Sequence, residues 1–209
     1  ETIGSIYYIS ENLDHLKEKV IAGFVLSCLG DDRTYSYLPS RKGNTLADRA
    51  AKHALKYIFP KFMEYSFLDR GSDERQYCSP GVDLPVASIF RSKYGEYDEY
   101  HTSLDNLEFV TPSGLLGGLT VLEKSIKTIE LNKVYKVTNY CEPRLGKRNL
   151  YPNLSKHYSS SINEDRLNLL AYSDGIVDLL EIANLLNRPI WELSHEVDIL
   201  CDAELLVEC

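Results

Sequence analysis

One histidine, His101, lies in a short polar stretch whose residue types could serve metal chemistry. It stands in DEYHTSLDNLEFV (98–110), after a Tyr-rich segment, and is followed by two hydroxyl residues and then by Asp105. Imidazole is the commonest side-chain metal ligand, and its second ring nitrogen needs a carboxylate or a carbonyl to fix the tautomer. The alternative interpretation is a surface histidine in a turn. The surface histidine is the commoner case for an arbitrary histidine, and a metal ligand on a loop after a strand is the other interpretation that stays open.

A second polar segment, GSDERQYCSPGVD (71–83), also lies beside a predicted strand. Loops at strand ends are where α/β proteins usually build their sites, so this segment is a candidate for part of a site. The alternatives are that Asp73 and Asp105 only cap their loops and that Arg75 pairs with a nearby acid. A catalytic role for Cys78 is disfavoured, because no partner histidine is placed by spacing.

Helices alternating with short apolar strands must position these loops, and this alternation favours a layered α/β sheet. Helices are predicted at 11–20, from Asn44 or Thr45 to 58, and from Thr111 onward with Pro112 in the first turn. Strands are predicted at 62–68 and 84–92, and 34–41 is either an edge strand or a loop. The run at 22–31 is apolar on both faces, which favours a central strand. One face of the third helix is predicted to lie on the core, with Leu115, Leu119, Leu122, Ile126 and Ile129 along it.

The C-terminal part of the chain differs in composition and charge. Residues 139–160 are rich in Pro, Gly, Ser and basic groups and predict a linker between domains at 1–138 and 161–209. Helix, turn, helix and a closing strand predict a small winged-helix module at 161–209. This module carries eleven acids and only Arg166 and Arg188, a charge of −9. Phosphate binding needs basic residues, so we expect protein docking or homo-oligomer contacts rather than nucleic-acid binding.

The bulk composition sets further limits. The chain has 209 residues, of which 44% are hydrophobic and 26% charged, as in ordinary globular proteins. It contains no apolar run long enough to span a membrane and no secretory signal pattern. Five cysteines without a CxxC pair predict reduced thiols, so we expect a cytoplasmic location and no membrane partner. The first residue is Glu1 rather than Met, and further chain is expected upstream.

Four stretches in order resemble the zinc aminopeptidase superfamily, which includes bacterial leucyl aminopeptidases, glutaminyl cyclases and the transferrin-receptor ectodomain. They are ETIGS (1–5), FVLSCLGD (24–31), GSDERQYCSPGVDLPV (71–86) and YHTSLDN (100–106). In that superfamily these segments supply a glutamate before Gly-Ser, a strand end, an SD loop and the last histidine ligand. The longer stretches ETIGSIYYI, EYHTSLDNLEF and EPRLGKRNLYPNLS resemble a narrower family of bacterial and archaeal aminopeptidase-like proteins. Its members are often encoded near polysaccharide-biosynthesis genes and carry a C-terminal winged helix, and this chain resembles their C-terminal half.

The resemblance implies an α/β fold, part of a mixed-sheet zinc-exopeptidase (phosphorylase/hydrolase-like) domain followed by the winged helix. It implies that His101 is the terminal zinc ligand and that Glu1 is either the catalytic base or a metal ligand. It also implies, or places nearby, groups that bind the substrate or support the ligands. These are Asp73, Arg75, Asp105 and Tyr100. Ser27 stands where relatives place a metal-binding aspartate, so one zinc is expected rather than two, with the remaining ligands upstream of Glu1.

Zinc with an open position lowers the pKa of bound water to about 7, and a nearby glutamate can take the proton. The leading hypothesis is a zinc-dependent aminopeptidase-like hydrolase that cleaves an N-terminal residue from a peptide or a small amide. The alternative is a non-catalytic binding or assembly protein on the same fold, linked to polysaccharide biosynthesis, which Ser27 favours. A transcriptional regulator is disfavoured by the acidic winged helix.

Overall fold

A computed structural model describes residues 2–148, 150 and 156–209, and of residues 156–161 it describes only the backbone. The chain divides into two compact units, Glu1–Ile129 and Glu130–Cys209. Within the described residues, no helix is both long enough and apolar enough to cross a membrane.

The first unit is a mixed α/β structure, as predicted. Its elements are α1 (Ile3–Lys19), β1 (Gly23–Leu26), β2 (Ser36–Leu38), α2 (Leu46–Ile58), β3 (Met63–Glu64), α3 (Glu74–Tyr77), β4 (Val86–Phe90) and α4 (Pro112–Leu131). A 3-10 turn at Phe67–Asp69 precedes α3. The strands form one sheet in the order β1-β4-β2-β3. β1 is parallel to β4, β2 is antiparallel to β4, and β3 is parallel to β2.

Helices cover both faces of this sheet. One apolar cluster joins the sheet to α2 and α4 and contains Tyr37, Ala47, Ala51, Leu55, Ala87, Ile89 and Val121. The other joins the sheet to α1 and contains Ile9, Leu16, Cys78, Leu84 and Val86. Val86 and Ala87 belong to different clusters because successive side chains of a strand point to opposite faces.

A capping box begins α2 at the predicted position. Thr45 is the N-cap, and the Asp48 carboxylate accepts hydrogen bonds from the Thr45 N–H (2.8 Å) and hydroxyl (2.7 Å). Asp48 also accepts bonds from the Tyr37 hydroxyl and the Ser40 N–H, so the cap ties α2 to the end of β2. The Asp48 carboxylate thereby satisfies the Thr45 N–H, a donor that the helix start would otherwise leave unpaired.

Two strands occupy positions in the sheet that differ from the prediction. β1, predicted to be central, lies at an edge of the sheet that the described residues form, and Leu26 is 43% exposed. β2, predicted as an edge strand or loop, lies between β4 and β3 and is fully buried. The mixed apolar and polar pattern of this strand predicted exposure, but Ser36 is buried. Its hydroxyl donates to the Arg91 carbonyl at 2.6 Å, which allows a polar residue inside the sheet.

The predicted core face of α4 is wrong. Of the five apolar residues in its stripe, Leu115, Leu119 and Ile126 are exposed by 43–52%. The buried positions are instead Gly114, Gly118, Val121, Ser125 and Thr128. A Cβ on Gly114 would lie 2.0 Å from the carbonyl oxygen of Gly30, so the helix approaches the backbone after β1 too closely for larger side chains.

The second unit contains β5 (Val134–Val137), a 3-10 turn (Leu145–Arg148), α5 (Lys156–Tyr172), β6 (Asp174–Asp178), α6 (Leu179–Leu185), α7 (Ile190–Asp202) and β7 (Leu206–Glu208). The strands form an antiparallel sheet in the order β6-β5-β7. Asp178 caps α6 by accepting a bond from the Glu181 N–H at 2.9 Å. The helix–turn–helix and the closing strand agree with the prediction.

The structure divides the chain earlier than the predicted boundary after residue 138. Val134–Val137 pairs with β6 and β7, so β5 belongs to the second unit. α5 begins at Lys156, inside the span predicted as a linker. Of that span, residues 149 and 151–155 lie outside the described residues.

Candidate functional site

The loops that follow β1 and β4 lie at the same edge of the sheet, because these two strands run parallel. Asp31, after β1, is buried and accepts bonds from the N–H and the hydroxyl of Ser92, each at 2.8 Å. The Arg91 N–H donates to the Cys28 carbonyl at 3.0 Å and forms a second link between the loops. The carboxyl ends of strands are the usual place for sites in α/β folds. This β1/β4 edge is the candidate site.

Glu74 joins the segment 71–74 to this edge. Its side chain is fully buried and accepts bonds from the N–H groups of Gly71 (2.7 Å) and Ser72 (2.9 Å). It also accepts bonds from the Tyr94 hydroxyl (2.8 Å) and the Ser88 hydroxyl (3.3 Å). Burial and the bond to Glu74 both raise the pKa of the Tyr94 hydroxyl. Four donors thus satisfy a carboxylate that has left water.

Glu74 is not among the residues predicted for the site from the sequence. The signal that could have found it is a glutamate directly after Gly-Ser-Asp, a sequence that can begin a helix, although this segment was predicted as a polar loop. A carboxylate at that position accepts bonds from the free N–H groups at the helix start.

Asp73 and Arg75 hold the start of α1 against α3. The Ser5 hydroxyl donates to one oxygen of the Asp73 carboxylate at 2.7 Å. The Thr2 hydroxyl oxygen accepts bonds from the Arg75 guanidinium (3.5 Å) and from the Gln76 amide (3.3 Å). Glu1, predicted as base or ligand, lies outside the described residues. The residue next to it is nevertheless bound to the Asp73 segment.

His101 reaches the same edge through a row of aromatic side chains. Its ring stacks on Tyr100, with centroids 3.9 Å apart and planes 17° apart. Tyr100 in turn contacts Tyr94 at 6.4 Å and Tyr97 at 5.7 Å. The backbone of His101 is left-handed, with φ of 58°, and the residue is exposed. A hydrogen bond between Tyr97 and the Cys28 thiol links this loop to the end of β1. Burial, and to a smaller extent this hydrogen bond, raise the pKa of Tyr97.

The structure therefore connects most of the predicted residues and leaves one apart. A chain of contacts runs from Glu74 through Tyr94 and Tyr100 to His101, and Asp73 and Arg75 lie beside Glu74 on α3. Asp105 is exposed, and its carboxylate accepts no hydrogen bond from the part of the chain that is described. The loop is held instead by Arg33, which donates to both oxygens of Glu99 at 2.9 and 2.6 Å.

The residues available for a metal do not form a complete shell. Within residues 2–148, 150 and 156–209, no three His, Cys, Asp or Glu side chains lie close enough together to hold a metal ion. A catalytic zinc takes three protein ligands, so His101 would need partners beyond the described residues. Ser27, at the end of β1, has its hydroxyl 3.4 Å from the Cys28 sulfur. Serine is a poor substitute for the carboxylate expected at that position.

Comparison with known proteins finds relatives whose names describe peptidases or aminopeptidase-like proteins. A Clostridium acetobutylicum protein, whose name assigns it to polysaccharide biosynthesis and gives it an aminopeptidase-like domain, is 37% identical over 99% of this chain and 48% of its own length. A crystal structure from the same species, named as that of a peptidase, aligns with all of this chain and 46% of its own at 35% identity and a TM-score of 0.89. The chain thus spans about half the length of these relatives. Their names agree with the predicted resemblance to aminopeptidase-like proteins.

Family models account for nearly the whole chain. Residues 133–208 match a winged helix-turn-helix family, which confirms the predicted winged helix. Residues 1–132 match the model described as "Domain of unknown function (DUF4910)". That match contains every predicted site residue and more than half of the chain, so the chain belongs to the DUF4910 family.

Proposed function

We propose that this chain forms part of a zinc-dependent, aminopeptidase-like hydrolase that cleaves an N-terminal residue from a peptide or a small amide. One observation carries the proposal: the chain of contacts at the β1/β4 edge that brings the Thr2, Asp73 and His101 segments together. The peptidase and aminopeptidase-like names of the two relatives support the same class of reaction. A cytoplasmic location belongs to the proposal, since all five cysteines are free thiols.

In this proposal the residues of the edge have separate tasks. His101 is a zinc ligand, and Glu1 is either a second ligand or the base. One Asp73 oxygen accepts a bond from Ser5, and its other oxygen accepts none from the described residues, which leaves it free to hold a substrate α-amino group. The Tyr100 hydroxyl is the candidate donor to a developing oxyanion. Arg75 fixes the segment next to Glu1 by its bond to Thr2.

A non-catalytic binding or assembly role is the second candidate, and a specific observation favours it. The end of β1 carries Ser27 and Cys28 rather than a carboxylate, and their side chains contact each other. A protein that had kept the fold without the chemistry would tolerate this loss. The polysaccharide-biosynthesis name of one relative is the basis for placing such a role in that pathway.

Zinc content separates the two candidates. The measurement is elemental analysis of the full-length protein, of a His101→Ala variant and of a His195→Ala control in α7. We expect about one zinc per chain in the wild type and the control, since one open site is expected, and none in His101→Ala. Turnover of aminoacyl amides should disappear with the metal. A wild type without zinc, or zinc that is indifferent to His101, would contradict the hydrolase proposal and favour the binding role.

A further inference from the structure

A surface cavity of about 480 Å³ beside α3 is lined by arginines. Arg41, Arg70 and Arg75 contribute to its wall, together with the polar residues Gln76 and Ser79. None of the described residues that line it is acidic, although the whole chain carries a net charge of −8. Its volume lies within the range of small-molecule pockets, about 300–1,000 Å³.

Two of these arginines keep most of their hydrogen-bonding capacity. Arg41 is neutralised by Asp83, whose carboxylate it binds at 2.6 and 2.7 Å. Within the part of the chain that the structure describes, the Arg70 guanidinium donates only to the Phe67 carbonyl, at 3.3 Å, and it lies over the Phe67 ring at 5.0 Å. Among the described residues, the Arg75 guanidinium donates only to the Thr2 hydroxyl. Neither Arg70 nor Arg75 pairs with an acid among the residues that the structure describes, so each keeps free N–H donors.

The cavity also borders the candidate site. Gln76 lies in its wall and, like Arg75, donates to the hydroxyl of Thr2. Thr2 follows Glu1, the candidate base or ligand. A molecule that occupies the cavity would therefore lie next to the segment where the proposed chemistry takes place.

We infer that this cavity binds an oxyanion, a carboxylate or a phosphate, between Arg70 and Arg75, and that this group belongs to the substrate. The planar fork of a guanidinium matches both kinds of anion with two parallel hydrogen bonds. Stacking on Phe67 holds one fork, and the bond to Thr2 orients the other. The assignment to the substrate rests on the proposed hydrolase function, whereas binding of the anion does not.

Calorimetric titration of the 209-residue chain with inorganic phosphate, and separately with glutarate, tests the inference. The variant is Arg70→Gln/Arg75→Gln, and the control is Arg144→Gln, which removes an exposed arginine in the second unit. Circular dichroism checks that both fold. We expect one saturable site in the wild type and the control, and binding at least about tenfold weaker in the double variant.

The outcomes distinguish the kind of anion and the two proposals. Binding of phosphate alone assigns a phosphate group, binding of glutarate alone assigns a carboxylate, and binding of both supports the shared oxyanion chemistry. No saturable binding of either anion, or equal binding by the double variant, overturns the inference. The titration needs neither zinc nor turnover. A chain that binds the anion but whose full-length protein lacks zinc would contradict the proposed hydrolase and leave the anion site standing.

Discussion

Glu74 is a fully buried carboxylate whose donors come from three parts of the chain. They are the backbone at 71–72, Ser88 in β4 and Tyr94 in the loop that carries His101. An ionised group that has left water is stable only when its oxygens accept several hydrogen bonds. This single side chain therefore fixes the position of Asp73 and Arg75 relative to the aromatic row that leads to His101.

Replacing Glu74 by Gln should destabilise the chain by about 2–3 kcal/mol. The amide would place N–H groups against donors and would lose charge-assisted bonds, each worth about 1.5–3 kcal/mol. Urea denaturation gives the free energy of unfolding, and Glu108→Gln, at an exposed position, is the control. Equal stability of Glu74→Gln and wild type would show that the four bonds do not hold this loop.

At the scale of elements, α4 packs through small residues rather than through its leucines. Gly114 faces the Gly30 carbonyl, and Gly118 faces Leu29. Ser125 and Thr128 can be buried because their hydroxyls donate within the helix, to Val121 and to Lys124, at 2.8 and 2.7 Å. Close approach places the N-terminus of α4 directly on the loop after β1, which is part of the candidate site.

Gly114→Ala should therefore lower the free energy of unfolding, although alanine in a helix is more favourable than glycine by about 1 kcal/mol. The added Cβ would meet the Gly30 carbonyl oxygen at 2.0 Å, and backbone has to move to avoid it. Overpacking of this kind costs about 1–3 kcal/mol. In urea denaturation, Leu116→Ala is the control because this leucine is 63% exposed. A more stable Gly114→Ala variant would contradict the close approach.

Asp32, which binds the start of α4, makes the stability of the fold depend on pH. Hydrogen bonds from Thr111 (2.5 Å) and then from Ser113 lower the pKa of its carboxyl below the ordinary value of 3.8. Because the pKa of Asp32 is lower in the folded state than in the unfolded chain, its ionised carboxylate stabilises the fold at pH values above the unfolded-state pKa. This stabilisation is lost as the pH falls through the folded-state pKa. Asp32→Asn should have a lower melting temperature than wild type at pH 7, and the difference should shrink below the ordinary carboxyl pKa.

Melting curves at pH 7 and at about pH 3, on either side of that ordinary pKa, measure this effect. Asp98→Asn is the control, because Asp98 is exposed and its carboxylate accepts no hydrogen bond from the described residues. A difference between Asp32→Asn and wild type that stays constant with pH would assign it to packing rather than to ionisation.

At the scale of the whole molecule, the net negative charge is concentrated in residues 161–209 of the second unit, and this limits the partners that its helices can bind. α7 is the second helix of the helix–turn–helix and carries Glu192, Glu196, Asp198 and Asp202 without a lysine or arginine. One of the two arginines of the module, Arg166, is buried and bonded to Glu196 at 2.6 Å. A helix of this composition repels phosphates, so we propose that the unit contacts protein.

The full chain should accordingly show no binding to a mixed-sequence DNA duplex at low salt. Fluorescence anisotropy of a labelled duplex, titrated with protein at about 50 mM salt, measures this directly, since electrostatic binding is strongest there. Binding of the duplex that weakens with added salt would contradict the protein-docking role and would support a transcriptional regulator that binds DNA.

The sequence by itself determined the features that depend on neighbours along the chain. These are the start of α2 at Thr45, the strand at β4, the start of α4 at Thr111 and the helix–turn–helix near the C-terminus. Caps, turns and apolar runs act over a few residues, and their signals can therefore be read locally. The motif around His101 was likewise visible as a contiguous stretch.

Only the tertiary structure decided which strand lies inside the sheet, which face of α4 is buried and where Glu74 belongs. Each depends on residues far apart in the sequence: Ser36 with Arg91, Gly30 with Gly114, and Glu74 with Tyr94. A buried polar residue is stable when a residue far away in the sequence forms a hydrogen bond with it. A buried small residue is stable when backbone from another part of the chain packs against it. No local pattern encodes that partner, and hydropathy alone assigns such positions to the surface.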